Sequence, residues 1–343
     1  MGYFSSTVPC YFIFGDSLVD NGNNNQLSSL ARADYSPYGI DFDPRGPTGR
    51  FSNGKTTVDV IAELLGFNGY IPPYVTASGR DILSGVNYAS AAAGIREETG
   101  RQLGGRITFS GQVRNYQNTV SQMMDLLGDE NTTANYLSKC IFSIGLGSND
   151  YLNNYFMPQF YSSSRQYTPE QWANILIQQY TEQLRILYNH GARKFVLIGV
   201  GQIGCSPSEL AQNSPDGRKC VQRINSANQI FNKSLDLLLI NSMAIPLMLN
   251  LSTSMLMVFS KILRAILQDM VLGLQMLGAV VWEGIMVKLH AYLFKPHAQR
   301  NEYLFWDAFH PTEAANIVIG RRSYSAQSAS DAYPFDIRRL AQL

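Results

Sequence analysis

Apolar and polar positions along this chain fall into blocks that switch between two periods. Cys10-Tyr11-Phe12-Ile13-Phe14 is a continuous apolar run stopped by Gly15-Asp16, the pattern of a strand buried on both faces. Gly85 to Ala89 reads as a second strand running into the small residues Ser90 to Gly94, Cys140 to Gly145 as a third, and Lys194 to Val200 as a fourth. Between them the spacing predicts helices over Val58–Leu65 with Gly66 as its cap, Val113–Leu127, Pro169–His190 with Gly191 as its cap, and Ser226–Leu239. Asp20 to Asn25 and the Pro/Gly-rich stretch Asp41 to Asn53 read as loops. Strands that alternate with helices predict an α/β protein with a central parallel sheet, as a single domain over residues 9–343. Ligand-binding loops of such sheets lie at the carboxyl ends of the strands, where Ser17, Ala91 to Gly94 and Asn149 fall.

The pattern fails from about residue 239 to 299. Seven of the 11 methionines lie there, and apolar residues run on without a clean period. Lys261, Arg264, Asp269 and Glu283 leave no uncharged span long enough for a membrane helix. A shifted reading frame accounts for the texture better than a Met-rich core helix does. Codons AAT TTA TCT ACA TCA ATG CTT ATG GTT encode Asn250 to Val258; regrouped one base earlier they give KFIYINAYG, a good strand and turn. The expectation is that this segment as written is non-native and leaves the sheet without its fifth strand.

Composition narrows the function. A net charge of +1 gives no footprint for nucleic acid or an anionic membrane, and 45% apolar residues suffice for a large core. The four cysteines (Cys10, Cys140, Cys205, Cys220) have no zinc-ligand spacing, so no metal is expected. Cys205 and Cys220 bracket a polar loop and are either a disulfide or two free thiols. Asn131-Thr132-Thr133 and Asn232-Lys233-Ser234 have the form of glycosylation sites, a form common by chance. Met1 to Thr7 is too short for a signal peptide and fits a myristoylation pattern only loosely; a truncated start is the preferred reading.

The chemistry lies at the two ends. Ser17 follows a strand at a turn, where a serine is exposed. Asp307 and His310 are three apart, so the carboxylate can reach the imidazole. Such a trio activates a hydroxyl: histidine takes its proton, and the carboxylate fixes the histidine's tautomer and orientation. Asn149, in Gly-Ser-Asn-Asp after a strand, can aim its amide at a developing oxyanion. Each residue also has a plainer reading. Ser17 and Asn149 suit turns, Asp307 and His310 a surface loop, Ala91 to Gly94 close helix packing, and Arg45 to Asn53 a surface loop. His190 reads as a helix-end residue.

Four ordered blocks decide between these readings. FGDSLVDNGNNN, GVNYASAAAGI, GSND and DAFH resemble, in order, the blocks of the plant GDSL-type esterase/lipases of the SGNH hydrolase superfamily. The resemblance covers Pro9 to Leu238 and Arg300 to Leu343. It implies a flavodoxin-like three-layer α/β/α fold and hydrolysis of carboxylic esters without metal or cofactor. Ser17 is then the nucleophile, His310 the general base and Asp307 its orienting partner. The oxyanion hole is the N–H of Ser17, the N–H of a block-two residue and the Asn149 side chain. Ala92 falls nearest the usual block-two glycine, with Gly94 as the alternative. A secreted monomer acting on small-molecule esters follows, with no nucleic acid partner and no membrane span. Two other functions stay open: a non-catalytic protein disabled by the altered segment, and acyl transfer to an alcohol.

Overall fold

The computed structural model describes residues 6–43, 46–244, 256–260 and 300–343. Its main elements in chain order are β1 (Tyr11–Gly15), α1 (Thr57–Leu64), α2 (Phe109–Leu127), α3 (Glu130–Leu137), β2 (Ile141–Gly145), α4 (Ser148–Asp150), α5 (Ser163–Gln166), α6 (Pro169–Asn189), β3 (Lys194–Ile198), α7 (Pro207–Asn213), α8 (Gln222–Ala244), β4 (Leu256–Ser260), α9 (Glu313–Tyr324), β5 (Ala332–Tyr333) and α10 (Ile337–Gln342). The sheet order is β1-β2-β3-β4-β5; the first four strands are parallel and β5 is antiparallel to β4.

The strand period of two sorts the core into layers. Phe12, Phe14, Phe142, Ile144, Phe195 and Leu197 pack with Tyr116 and Met123 of α2, Leu176 and Tyr180 of α6, and Phe231 of α8. Tyr11, Ile13, Ile141 and Val196 face the other way, onto Val58 and Ile61 of α1 and Ile337 and Leu340 of α10. Strands hydrophobic on both faces therefore sit between two helical layers, the expected three-layer α/β/α architecture.

Local signals set the helix ends. The side chains of Thr108, Asp129, Thr168 and Thr312 each accept a backbone N–H at the start of α2, α3, α6 and α9. Gly191 follows α6 with φ +97°, the left-handed conformation that a glycine adopts at low cost. The helices α2 and α8 begin earlier than the apolar spacing indicates, and α3 was not expected.

Two expectations change. Gly85 to Ala89 is not a full strand. Its backbone bonds β1 (Ile13 N–H to Val86 O, Tyr88 N–H to Ile13 O), but the only bridges there are Ile13 to Asn87 and Pro73 to Asn87. Its outer neighbour is Pro72-Pro73, which has no N–H to extend a ladder. The second change concerns the altered segment. As written, Leu256–Ser260 pairs with Lys194–Ile198, so the sheet has a strand where one was expected to be missing. Residues 245–255 and 261–299, with His290 and His297, lie outside the described residues, as do residues 1–5 of the loose lipidation pattern.

Cys205 and Cys220 form a disulfide, and Cys10 is bonded to Cys140. The second pair joins the residues just before β1 and β2, 130 positions apart in sequence and 4.8 Å apart at Cα. Closing so long a loop restricts the unfolded chain strongly. Cys10→Ser with Cys140→Ser is expected to lower stability by about 2–4 kcal/mol in a denaturant titration.

Candidate active site

The carboxyl end of β1 delivers Ser17. Gln112 of α2 clamps the strand end: its Nε2 donates to Gly15 O (2.8 Å) and its Oε1 accepts Gly15 N–H (3.0 Å). A Cβ on Gly15 would lie 2.4 Å from the Val19 side chain, so the turn closes only around glycine. Asp16 Oδ1 then accepts Leu18 N–H (3.0 Å), leaving Ser17 at the crest.

From the far end of the chain, the loop before α9 brings the histidine. Trp306 N–H donates to His310 O (2.7 Å) and Ser208 N–H to Ala308 O (3.0 Å). His310 Nε2 lies 2.7 Å from Ser17 Oγ, and Nδ1 lies 2.7 Å from Asp307 Oδ2. Asp307 Oδ1 also accepts the N–H groups of Phe309 (2.8 Å) and His310 (2.7 Å). Burial alone would raise the Asp307 carboxyl. The His310 charge and these hydrogen bonds outweigh it and hold the group below the usual carboxylate range.

Two supports were not legible in the sequence. The Tyr38 hydroxyl donates to Asp307 Oδ2 (2.8 Å) across 269 positions. Burial, then the neighbouring carboxylate, push this phenol up, so it stays a donor. Asn153 Nδ2 donates to Asn149 Oδ1 (2.7 Å). A tyrosine in a loop and an asparagine after a turn carry no signal of their own.

The second wall of the site is Ser90 to Gly94. Asp20 Oδ2 accepts Ala91 N–H (2.9 Å), and Asn24 Nδ2 donates to Ala91 O (3.1 Å). Ala92 is held at φ +65°, a region that favours glycine, and it lines the same cleft as Ser17 and Asn149. Among the described residues, the backbone N–H groups of Ser17 and Ala92 have no hydrogen-bond partner. Gly94 does not line the cleft: a Cβ there would lie 2.4 Å from Thr99 and 2.7 Å from Asp150, so its smallness serves packing. Asn149 Nδ2 donates to Ala93 O (2.9 Å).

Of the stretch Arg45 to Asn53, Arg45 lies outside the described residues, and residues 46–53 are not a plain surface loop. Arg50 is buried in a two-point ion pair with Asp59 (both contacts 2.8 Å) and its guanidinium lies over the Phe42 ring. Asn53 Oδ1 accepts Glu313 N–H (2.8 Å), and the Phe51 ring centre is 4.9 Å from that of His310. The loop therefore braces the histidine. His190 caps α6, with Nδ1 2.8 Å from Ile186 O, as a helix-end residue does. Asn232 holds both backbone groups of Val200 through its amide, so its sequon serves the fold.

The cleft has a volume of about 390 Å³. Leu30, Leu103, Leu152, Ile203, Leu304 and Phe305 make its walls apolar. Its polar groups converge at one end, around Ser17, Asn149 and His310, an arrangement suited to a ligand with one reactive polar centre. Among the described residues no cluster of His, Cys, Asp or Glu could hold a metal ion.

Three buried carboxyls shape the scaffold. Burial pushes Asp16, Asp20 and Asp150 up from 3.8 to about 6. Between those values the native state binds more protons than the unfolded chain, so their contribution to stability is lost as pH rises. Asp59 and Asp307 are shifted down; their contribution is present above 3.8 and lost as pH falls further. The melting temperature is expected to be higher near pH 4.5 than at pH 7. Thermal scans across this range check the sign.

The fold is a three-layer α/β/α one, and the family to which the chain belongs makes it a hydrolase acting on carboxylic esters. Residues 11–323 match the family described as GDSL-like Lipase/Acylhydrolase, and the chain belongs to that family. It is 64% identical to GDSL esterase/lipase At1g29670 of Arabidopsis thaliana, over 98% of this chain and 92% of that protein. GDSL esterase/lipase At5g45670 of the same plant is 62% identical over 98% and 93%, and GDSL esterase/lipase At1g33811 is 46% identical over 98% and 92%.

Proposed function

We propose that the chain hydrolyses esters through an acyl-enzyme on Ser17. His310 Nε2 takes the Ser17 proton as Oγ attacks the carbonyl carbon. The N–H groups of Ser17 and Ala92 and the Asn149 amide receive the oxyanion. The C–O bond to the alcohol breaks as His310 returns the proton, and water then repeats the cycle on the acyl-enzyme. The observation that carries this reading is the 2.7 Å contact between His310 Nε2 and Ser17 Oγ, with Asp307 on the opposite ring nitrogen. A rapid-quench burst of p-nitrophenol equal to the enzyme concentration tests it. When no burst is resolved, esters that share an acyl group but differ in leaving alcohol are hydrolysed with methanol present: one water-to-methanol product ratio for all of them supports the intermediate, and ratios that vary with the leaving group oppose it. Excess acceptor alcohol in the same assay separates hydrolysis from acyl transfer.

Only a backbone N–H is needed at position 92. Ala92→Gly, which relieves φ +65°, is expected to keep kcat within about threefold and leave stability unchanged or raise it by up to ~1 kcal/mol. Tyr38→Phe removes a hydrogen bond to a carboxylate, a bond of about 1.5–3 kcal/mol, and is expected to lower kcat roughly tenfold at unchanged KM.

The apolar walls favour acyl groups larger than acetyl. Two disulfides fit a secreted protein, and no helix among the described residues is long and apolar enough to cross a membrane. The working unit is a monomer of one domain over residues 9–343. Within it, residues 239–299 derive from a shifted frame. Restoring that frame is expected to raise both specific activity and the sharpness of thermal unfolding; equal values for the two chains oppose it.

A further inference from the structure

Asn149 lies within α4, and after Asp150 the chain continues as a π-turn over Tyr151–Tyr155. Within that turn Asn153 leaves helical geometry (φ −112°, ψ 26°) and its carbonyl accepts Gly100 N–H at 3.2 Å. π-turns often mark functional sites. Here the turn puts Asn153 against Asn149 and ties both to the Gly100 turn.

The side chains continue from there as a directed series. Asn149 Nδ2 donates to Ala93 O (2.9 Å), and Asn153 Nδ2 donates to Asn149 Oδ1 (2.7 Å). Gln102 Nε2 donates to Asn153 Oδ1 (2.9 Å), and the Tyr161 hydroxyl donates to Gln102 Oε1. Every amide has an oxygen end and a nitrogen end, and the partners decide which way each one points. A backbone carbonyl can only accept, so Ala93 O fixes Asn149 with its nitrogen toward the cleft wall. Each later amide must then point the same way, and the tyrosine hydroxyl closes the series because it can donate or accept.

We propose that Asn153, with Gln102 behind it, is a positioning residue that holds the Asn149 amide as an oxyanion donor. The proposal rests on the oxyanion role assigned to Asn149 above. Without Asn153, nothing else described holds Asn149 Oδ1, so the Ala93 O contact alone holds the amide and its aim at the developing negative charge loosens. The effect belongs to the transition state, so it falls on kcat and leaves KM.

Asn153→Asp tests this in the full chain. A carboxylate cannot donate to Asn149 Oδ1, so Asn149 turns to offer its nitrogen and its oxygen then faces Ala93 O. The expected loss in kcat is about 100-fold, similar to Asn149→Ala, with KM within about twofold. In the Asn149→Ala background the same change is expected to add less than about threefold, because the group it positions is gone. Asn153→Ala, which removes the donor without adding charge, carries the same cycle should the carboxylate prevent folding; its expected loss is about tenfold. An undiminished loss in the Asn149→Ala background would overturn the proposal and make Asn153 a structural residue only. So would a single variant within threefold of the parent. Near-parental kcat for Asn149→Ala alone would instead remove the oxyanion role itself, leaving the Ser17 chemistry intact.

Discussion

Ser17→Ala removes ester hydrolysis: kcat is expected to fall by on the order of 10⁴–10⁶-fold, with substrate affinity retained. The substitution deletes a single oxygen from a half-buried turn residue, so the fold should not change. Ser148 and Ser206 also line the cleft. Neither has a hydrogen bond to His310 among the described residues; the His310 Nε2 contact, at 2.7 Å, goes to Ser17. A serine without a base to take its proton is a poor nucleophile, so the neighbours should not substitute. Steady-state turnover of a p-nitrophenyl ester, with a melting curve as the control for folding, checks this.

Asp307→Asn is the second large effect, a loss of about 10³–10⁴-fold in kcat. The size follows from which oxygen does what. Oδ1 accepts the backbone N–H groups of Phe309 and His310 and lies 2.9 Å from His310 Nδ1, while Oδ2 is the closer partner of Nδ1 at 2.7 Å; the two N–H groups require an asparagine to keep its oxygen at Oδ1. Its nitrogen then takes the place of Oδ2, against His310 Nδ1 and the Tyr38 hydroxyl. An N–H facing Nδ1 drives the ring proton onto Nε2, the nitrogen that must accept from Ser17. The substitution keeps the shape and installs the wrong tautomer. Loss of kcat with an unchanged melting temperature is the expected pattern. A loss below tenfold would mean that Asp307 does not set the tautomer.

The parts of the site that were legible are those whose chemistry is local. Ser17 follows a strand-stopping glycine, and Asp307 and His310 are three apart, so each motif shows its own geometry. Ala92 was legible only by spacing; its φ of +65° explains why a glycine suits that position. Tyr38, Asn153 and the Cys10–Cys140 bridge were not legible, because each acts through a partner that only the fold brings near. Gly85 to Ala89 was misread for a related reason. Its own residues favour a strand, but Pro72-Pro73 beside it cannot carry the ladder outward. The layered sheet was legible because the near-continuous apolar runs Tyr11–Phe14 and Ile141–Ile144 are what burial on both faces requires. Arg50 shows the limit of composition. A charged residue in a Pro/Gly-rich loop looks solvent-exposed until Asp59 and the Phe42 ring are found around it.

Covalent labelling tests the central claim most directly. The protein is treated with a fluorophosphonate, digested and mapped by mass spectrometry while residual esterase activity is followed. The account predicts one adduct, on the peptide containing Ser17, formed in proportion to the activity lost and absent from the His310→Ala protein. Full inactivation with the label on another residue, or undiminished turnover with Ser17 fully labelled, would contradict it.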